Sequence, residues 1–220
     1  HQPLHSSLTA MKKFLILPLA TASSLALAAE PPANSELVLE DSFDREELGK
    51  GWSVNTGEWT IVDGVLRIRE IPADKHSAAV RRVLATRNAV YELRFRFVEK
   101  GKGFHLGFDP AKGELDKKGH LFSVMIMPKG WKIMKHVDKA KPKDDPNLVL
   151  AEQKTAFESG EWYTLRVTSW ATYVTAMIEG KETLKGSHPS FGVKKPTLVF
   201  RGLGDGVEVD DLKVWVPKVK

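Results

Sequence analysis

Two segments near the ends of the chain alternate between polar and apolar residues: Glu40–Asp44 and Gly206–Trp215. This alternation is typical of a β-strand with one buried face. Many short runs of the same kind lie between them, and only residues 46–48 have helix-like composition. The pattern predicts an all-β sandwich in which the first and last strands lie side by side.

The first 29 residues predict an export signal rather than a folded segment. Met11 and two lysines precede an apolar run that ends in an Ala-x-Ala cleavage pattern. The run is shorter than the roughly 20 apolar residues of a membrane-spanning helix. We therefore expect export to the periplasm or the extracellular space, with no membrane span after cleavage. The expected division is an upstream extension (1–10), a signal peptide (11–29), a linker (30–36) and one folded domain (37–217).

Composition narrows the classes of partner. Removal of Lys12 and Lys13 with the signal peptide lowers the formal net charge from +5 to +3, and charges of both signs are interspersed. This balance does not predict a nucleic-acid surface. The sequence contains no cysteine, so the domain has no disulfide. A chain of about 190 residues can form a sufficient core without one.

Four motifs carry a resemblance to a known fold family. They are Asp41-Ser42-Phe43-Asp44, the hairpin Trp59-Thr60-Ile61-Val62-Asp63-Gly64-Val65-Leu66, Gly160-Glu161-Trp162-Tyr163 and the closing run Val209–Val214. Together they resemble the concanavalin A-like lectin/glucanase jelly rolls, and especially the 3-keto-disaccharide hydrolase family and its short secreted relatives. The resemblance spans residues 37–216 and implies a two-sheet jelly-roll sandwich.

The catalytic motifs of such proteins are not matched. The strands N-S-G and Y-E-x-Q-x-x-D of the 3-keto-disaccharide hydrolases would fall near residues 103–109 and 119–127, where the central carboxylate is missing. The E-x-D-x-x-E strand of family 16 glycosidases resembles the run from Glu208 to Lys213, but lysine stands where the second glutamate is required. A two-carboxylate mechanism therefore has no second acid there.

Two groups of residues in the middle of the chain predict a ligand site. The first comprises Asp74, Lys75, His76 and Arg82, whose side chains can bind sugar hydroxyls or simply form ion pairs in a solvated loop. The second comprises His105, Asp109 and His120, and its rim is expected to extend to Lys135, His136, Asp138 and His188. His105 and Asp109 lie on one strand face. A hairpin would bring His120 to them, either for a polar ligand or for a metal ion.

Two further expectations concern an aromatic platform and an ion. Trp131 follows a Lys-Gly turn and is a candidate for stacking on a sugar ring, with a buried position as the alternative. Glu40, Asp41 and Asp210 could hold a structural calcium ion between the terminal strands, or could be ordinary solvent-facing carboxylates. Calcium is the one cofactor that the sequence suggests.

Three hypotheses for function remain open at this stage. The first is a secreted, non-catalytic carbohydrate-binding domain whose glycan or glycoside ligand lies on the concave sheet. The second is a divergent glycoside hydrolase, or a 3-keto-glycoside hydrolase or lyase, that uses histidine. The third is a structural interaction domain of the cell surface. Convergence of His76, His105 and His120 in one cleft would favour the first two.

Overall fold

The computed structural model describes residues 30–219, and the predicted signal peptide lies outside them. Thirteen strands form the fold. They are β1 (Ser35–Asp41), β2 (Trp52–Thr56), β3 (Glu58–Val62), β4 (Val65–Arg69), β5 (Ala78–Thr86), β6 (Ala89–Phe108), β7 (Phe122–Met127), β8 (Gly130–Lys135), β9 (Leu148–Lys154), β10 (Tyr163–Trp170), β11 (Tyr173–Ile178), β12 (Leu184–Ser187) and β13 (Lys195–Pro217). Two short 3-10 helices, Pro72–Asp74 and Pro189–Gly192, complete it.

The prediction of an all-β fold is confirmed. Residues 30–219 contain no α-helix, and no helix among them is long and apolar enough to cross a membrane. The terminal strands pair antiparallel, with Asp41 opposite Leu212. The hairpin of β3 and β4 turns at Asp63 and Gly64, both with positive φ, as two-residue hairpin turns require.

Two long strands, β6 and β13, run through both layers of the sandwich. Their antiparallel pairing extends from Leu198 opposite Phe108 to Trp215 opposite Val90. One half of the pair belongs to a first sheet of order β2-β5-β13-β6-β7-β8-β9. The other half belongs to a second sheet, in which β12, β11 and β10 flank β6, and β1 and β4-β3 flank β13.

The core lies between the two sheets and is largely aromatic. Tyr91 of the second sheet contacts Phe108 of the first, with ring centroids 4.9 Å apart. The Tyr91 hydroxyl is satisfied by Thr86 at 2.6 Å. Along the first-sheet half of β6, Phe104, Leu106 and Phe108 are buried. The residues between them must therefore face away from the core, because side chains alternate along a strand.

Glycines make the bend between the two sheets possible. The register of β6 and β13 shifts between Leu203 and Gly204 and again between Asp205 and Val207, which marks β-bulges. Gly204 has φ +77°, and a Cβ there would lie 2.3 Å from the Lys100 carbonyl oxygen. A side chain at this position would force the two strands apart.

Gly204→Ala is expected to lower the free energy of unfolding by about 2–5 kcal/mol, since backbone strain adds to a steric clash. The matched control is Gly113→Ala, where φ is +84° and nothing lies within 4 Å of the new Cβ. That variant should lose only the stability that backbone strain costs, about 1–2 kcal/mol. Urea unfolding of both variants measures the difference, and equal losses would contradict the importance of the close approach.

Candidate functional site

The face of the first sheet that points away from the core carries a group of polar side chains. His105 alternates with the core residues of β6, and Asp109 directly follows the end of that strand. In the neighbouring strands, Arg201 lies opposite His105 and Arg81 lies opposite Val199. We call Arg81, His105, Asp109, His120, His136 and Arg201 the histidine–arginine cluster.

A chain of hydrogen bonds connects four members of the cluster. The Arg81 Nη2 donates to Asp109 Oδ2 at 3.1 Å. The His120 Nδ1 donates to Asp109 Oδ1 at 2.6 Å, and Arg201 Nη2 lies 3.0 Å from His120 Nε2. The Asp109 carboxylate can only accept, so His120 Nδ1 carries a proton, while Arg201 Nη2 lies at nearly equal distances from the two ring nitrogens, 3.1 Å from Nδ1 and 3.0 Å from Nε2.

The two remaining histidines complete the cluster. His136 follows β8, its Nε2 lies 2.8 Å from the Ser123 hydroxyl, and its ring lies edge-on to that of His120 at 5.6 Å. His105 is 8% exposed, and its buried Nε2 has no hydrogen-bond partner among residues 30–219. The cluster therefore contains an imidazole whose bonding capacity is unused.

The electrostatics of the cluster favour neutral buried histidines. Burial, together with the positive charges of Arg201 and Lys132, lowers the pKa of His105 from 6.5 to about 4. Burial and the surrounding cationic groups, His120 first among them, lower the pKa of His136 to about 3. Burial would raise the pKa of Asp109, but the hydrogen bonds and charges of His120 and Arg81 outweigh it and hold that pKa below its ordinary value.

The first predicted group does not join the cluster. Asp74 accepts a hydrogen bond from the Gly57 amide at 2.7 Å and fixes the loop before β5. Lys75 is exposed and ends the 3-10 helix with φ 50°. His76 contacts Thr56 and the Ser77 carbonyl, and none of the cluster side chains. Of the three histidines expected to converge, only His105 and His120 therefore lie together in the cluster.

Arg82 lies on the wrong side of its strand for the predicted role. It is opposite the core residue Leu198 in β13. Its guanidinium lies against Gly51 and donates to the Val83 carbonyl at 3.3 Å. The preceding residue, Arg81, is the arginine that contacts the cluster, because successive side chains point to opposite faces.

The prediction of an exposed platform at Trp131 is wrong. Trp131 is 1% exposed, and its indole Nε1 donates to Gln153 Oε1 at 2.9 Å within the sandwich. Lys135 does not extend the rim either, because it is fully buried. Its ammonium is paired with Asp145 and donates to the Pro146 carbonyl at 3.0 Å. It therefore anchors the loop between β8 and β9.

The carboxylates expected to bind calcium are each engaged elsewhere. Asp41 accepts hydrogen bonds from the Phe43 amide, from both terminal nitrogens of Arg45, and from the indole of Trp52. These donors occupy both of its oxygens. The pKa of Asp41 lies below its ordinary value because these donors and the charge of Arg45 outweigh the effect of burial.

The other two carboxylates are paired with different cations. Glu40 lies 3.6 Å from the Lys213 ammonium, and Asp210 contacts Arg94 at 2.5 Å. Within residues 30–219, no group of three or more His, Cys, Asp or Glu side chains is placed to hold a metal ion. Glu40, Asp41 and Asp210 therefore do not form the oxygen cage that calcium requires.

The fold thus brings into the cluster two arginines that the sequence does not assign to the site. Arg81 and Arg201 have a recognisable signal, since each follows a core residue of its strand, Val80 and Phe200 respectively. Their proximity to His105 is not visible in the sequence, because β5, β6 and β13 are brought together by the fold.

A cleft lies at the bend between the sheets, away from the cluster. This cleft has a volume of about 420 Å³ and is lined by Glu58, Arg69, Glu70, Ile71, Pro72, Lys100, Lys102, Gly204 and Asp205. Its acids are engaged within the cleft: Arg69 donates to Asp205 at 2.7 Å, and Glu70 accepts from the Gly204 amide at 2.7 Å. It shares no residue with the cluster.

Comparison with known proteins identifies the fold. No family model and no curated protein matches the sequence. Solved structures do match. Carbohydrate-binding module CBM66 from Bacillus subtilis is similar at 14% identity and a TM-score of 0.59, and the match covers 76% of this chain and 96% of that chain. SCLam, a non-specific endo-β-1,3(4)-glucanase from family GH16, is similar at 12% identity and a TM-score of 0.63, and the match covers 85% of this chain and 93% of that chain. A third is the CBM2 module of the evolved Dit of Lactobacillus casei BL23 phage J-1 (12% identity, TM-score 0.59, 85% and 98%). The chain is therefore a concanavalin A-like jelly roll.

Acidification should destabilise the protein through His105. The unfolded chain binds a proton near the ordinary pKa of 6.5, whereas the folded chain does so near 4. The contribution of His105 to the free energy of unfolding is therefore fully present above pH 6.5. It is lost as the pH falls from 6.5 to 4, and the loss is on the order of 3 kcal/mol. Thermal melts across this range should show a smaller loss in His105→Gln than in the parent protein.

The control for this series is His76→Gln, which removes an exposed histidine outside the cluster. Its stability should follow the same pH dependence as the parent protein. An unchanged pH dependence in His105→Gln would contradict the assignment of a neutral, buried imidazole at this position.

Proposed function

We propose that this protein is a secreted, non-catalytic carbohydrate-binding jelly roll, and that its glycan or glycoside ligand lies across the histidine–arginine cluster. The observation that carries the proposal is the convergence of Arg81, Asp109, His120 and Arg201 through successive hydrogen bonds on one sheet face. Guanidinium, carboxylate and imidazole groups bind sugar hydroxyls through directed hydrogen bonds. The similar structures that are carbohydrate-binding modules support the same ligand class.

The position of the carboxylates favours binding over catalysis. Glu208 accepts from Arg67 at 2.6 Å and also from Arg96, and these arginines belong to the second sheet, away from the cluster. Within the cluster, Asp109 is the one carboxylate in hydrogen-bond contact with other members. Glycoside hydrolysis by the usual route requires two carboxyl groups on either side of one bond.

A catalytic alternative rests on the contact between Asp109 and His120. A carboxylate that orients an imidazole can support general base catalysis, as a divergent glycoside hydrolase or a 3-keto-glycoside hydrolase or lyase would need. However, the Nε2 of His120, which would take the substrate proton, lies against the Arg201 guanidinium. An arginine in that position keeps the nitrogen from acting as a base unless the guanidinium moves.

The sequence pattern supports the proposed location and partner class. The signal-peptide motif supports export to the periplasm or the extracellular space. The near-balanced charge of the mature chain supports a glycan rather than a nucleic acid as the partner. The protein could instead be a structural interaction domain on the cell surface, which requires no small ligand. That alternative predicts that substitutions in the cluster do not change partner binding.

Disruption of the cluster should weaken glycan binding. The experiment screens the purified protein on a panel of neutral and acidic oligosaccharides and measures Kd by calorimetry for those that bind. Asp109→Asn and His120→Gln should raise Kd roughly 10–100-fold, because each breaks a charge-assisted hydrogen bond worth about 1.5–3 kcal/mol. Lys213→Gln in the second sheet is the matched control and should bind as the parent protein does.

Binding that survives both cluster substitutions in folded protein would place the ligand elsewhere. The absence of binding to every glycan would favour the structural alternative.

The protein is expected to release no product from β-glucans or 3-keto-glucosides, with or without added divalent metal ions. Product analysis by chromatography tests this. Turnover that disappears in His120→Gln and persists in Lys213→Gln would overturn the non-catalytic proposal and establish the enzyme.

A further inference from the structure

Arg201 is a buried cation without a close carboxylate. Its side chain lies in the middle of the first sheet, and the residue is 7% exposed. Among residues 30–219, no acidic side chain approaches its guanidinium within the 4.0 Å of an ion pair. Its one hydrogen-bonded side-chain partner in the described chain is His120. Burial of a charge in this state costs free energy, so the arrangement calls for an anion.

The charges around Arg201 do not supply that anion. Asp109 attracts it from a distance, while Arg81 repels it. Asp109 itself already accepts from Arg81 and His120. The next acid on this face is Glu152 of β9, three strands beyond His105 and opposite Lys132 in the β8–β9 pair. Asp109 is therefore shared with two other groups and Glu152 lies on a distant strand, so Arg201 has no acid of its own among residues 30–219.

The unpartnered imidazole lies beside this guanidinium. His105 is the Cα partner of Arg201 in the β6–β13 pair, so their side chains project from the same face. The buried Nε2 of His105 has no hydrogen-bond partner in the described part of the chain. A neutral imidazole can offer one N–H donor. Two buried groups with unused donor capacity thus stand next to each other.

A glycine at the same point lets two polar groups lie directly against the backbone. Gly107 is two residues beyond His105 on this face, and a Cβ there would lie 2.7 Å from Arg201 Nη1 and 2.9 Å from the Ser123 hydroxyl. The missing side chain lets the guanidinium and the hydroxyl lie close to the backbone. This part of the sheet face therefore carries a guanidinium and a hydroxyl where most residues would place a side chain of their own.

We propose that the ligand of this site is an acidic glycan, whose carboxylate or sulfate oxyanion binds between Arg201 and His105. The inference rests on the proposed carbohydrate-binding function and names its ligand class. A guanidinium binds carboxylate and sulfate oxygens through paired, charge-assisted hydrogen bonds. The neutral sugar ring lies beside the oxyanion, where Asp109 and His120 contact its hydroxyl groups.

The test uses two matched pairs of probes. A short oligogalacturonate is compared with its carboxyl-reduced counterpart, and a sulfated galactan oligosaccharide is compared with its desulfated counterpart. In at least one pair the acidic member should bind at least roughly tenfold more tightly, as expected for a charge-assisted contact. The pair that shows the difference identifies the oxyanion as carboxylate or sulfate.

Variants assign the preference to Arg201. Arg201→Met should reduce the affinity difference within the pair to near unity, whereas Lys213→Gln should retain it. Arg201→Met should also fold, because an apolar side chain of similar length replaces an uncompensated buried charge. Its Tm should equal or exceed that of the parent protein. Should it not fold, His105→Gln provides the second test, with a reduced preference expected.

Three outcomes would overturn the inference. Equal affinities within both pairs, together with loss of binding in Asp109→Asn, would disprove the oxyanion and leave the proposed function intact. If folded Arg201→Met still binds the acidic member of a pair more tightly than the neutral member, general charge attraction is responsible for the preference. Absence of binding to all four probes and to every neutral glycan would overturn the proposed function itself.

Discussion

The antiparallel pairing of β6 with β13 is the contact on which both sheets depend. Each strand crosses from one layer to the other, and the pair bends where Gly204 passes the Lys100 carbonyl. The same pairing sets the functional face, because it places His105 opposite Arg201. His105 and Arg201 therefore alternate with core residues along these two strands, and a one-residue slip would exchange them with the core.

The sequence predicts much of this architecture because strand alternation is a local signal. The hairpin at Asp63 and Gly64, the pairing of the terminal strands and the shared face of His105 and Asp109 all follow from it. The continuity of β6 does not, because Gly101 and Gly103 have the composition of a turn. In the fold these glycines lie at a bend where the backbones approach each other closely.

The candidate site was less predictable, since its residues come from distant parts of the chain. Arg82 was expected in the site, and Arg81 contacts it instead, a difference of one residue that reverses the strand face. Trp131 follows a turn yet lies in the core, because its side chain points inward from β8. Arg201 can be recognised as a site residue only when the pairing of β13 with β6 is known.

The cluster also weakens the fold, because burial of cations and neutral histidines costs free energy that a bound ligand can offset.

The most direct test of a ligand on this face is the NMR response of the imidazoles. Long-range 15N correlation spectra of the histidine-labelled protein would be recorded as a binding glycan is added. The signals of His105, His120 and His136 should shift together, while those of His188, whose imidazole bonds to Ser190 outside the cluster, should remain in place. Saturable binding with no change in the three cluster imidazoles would contradict the assignment of the histidine–arginine cluster as the carbohydrate site.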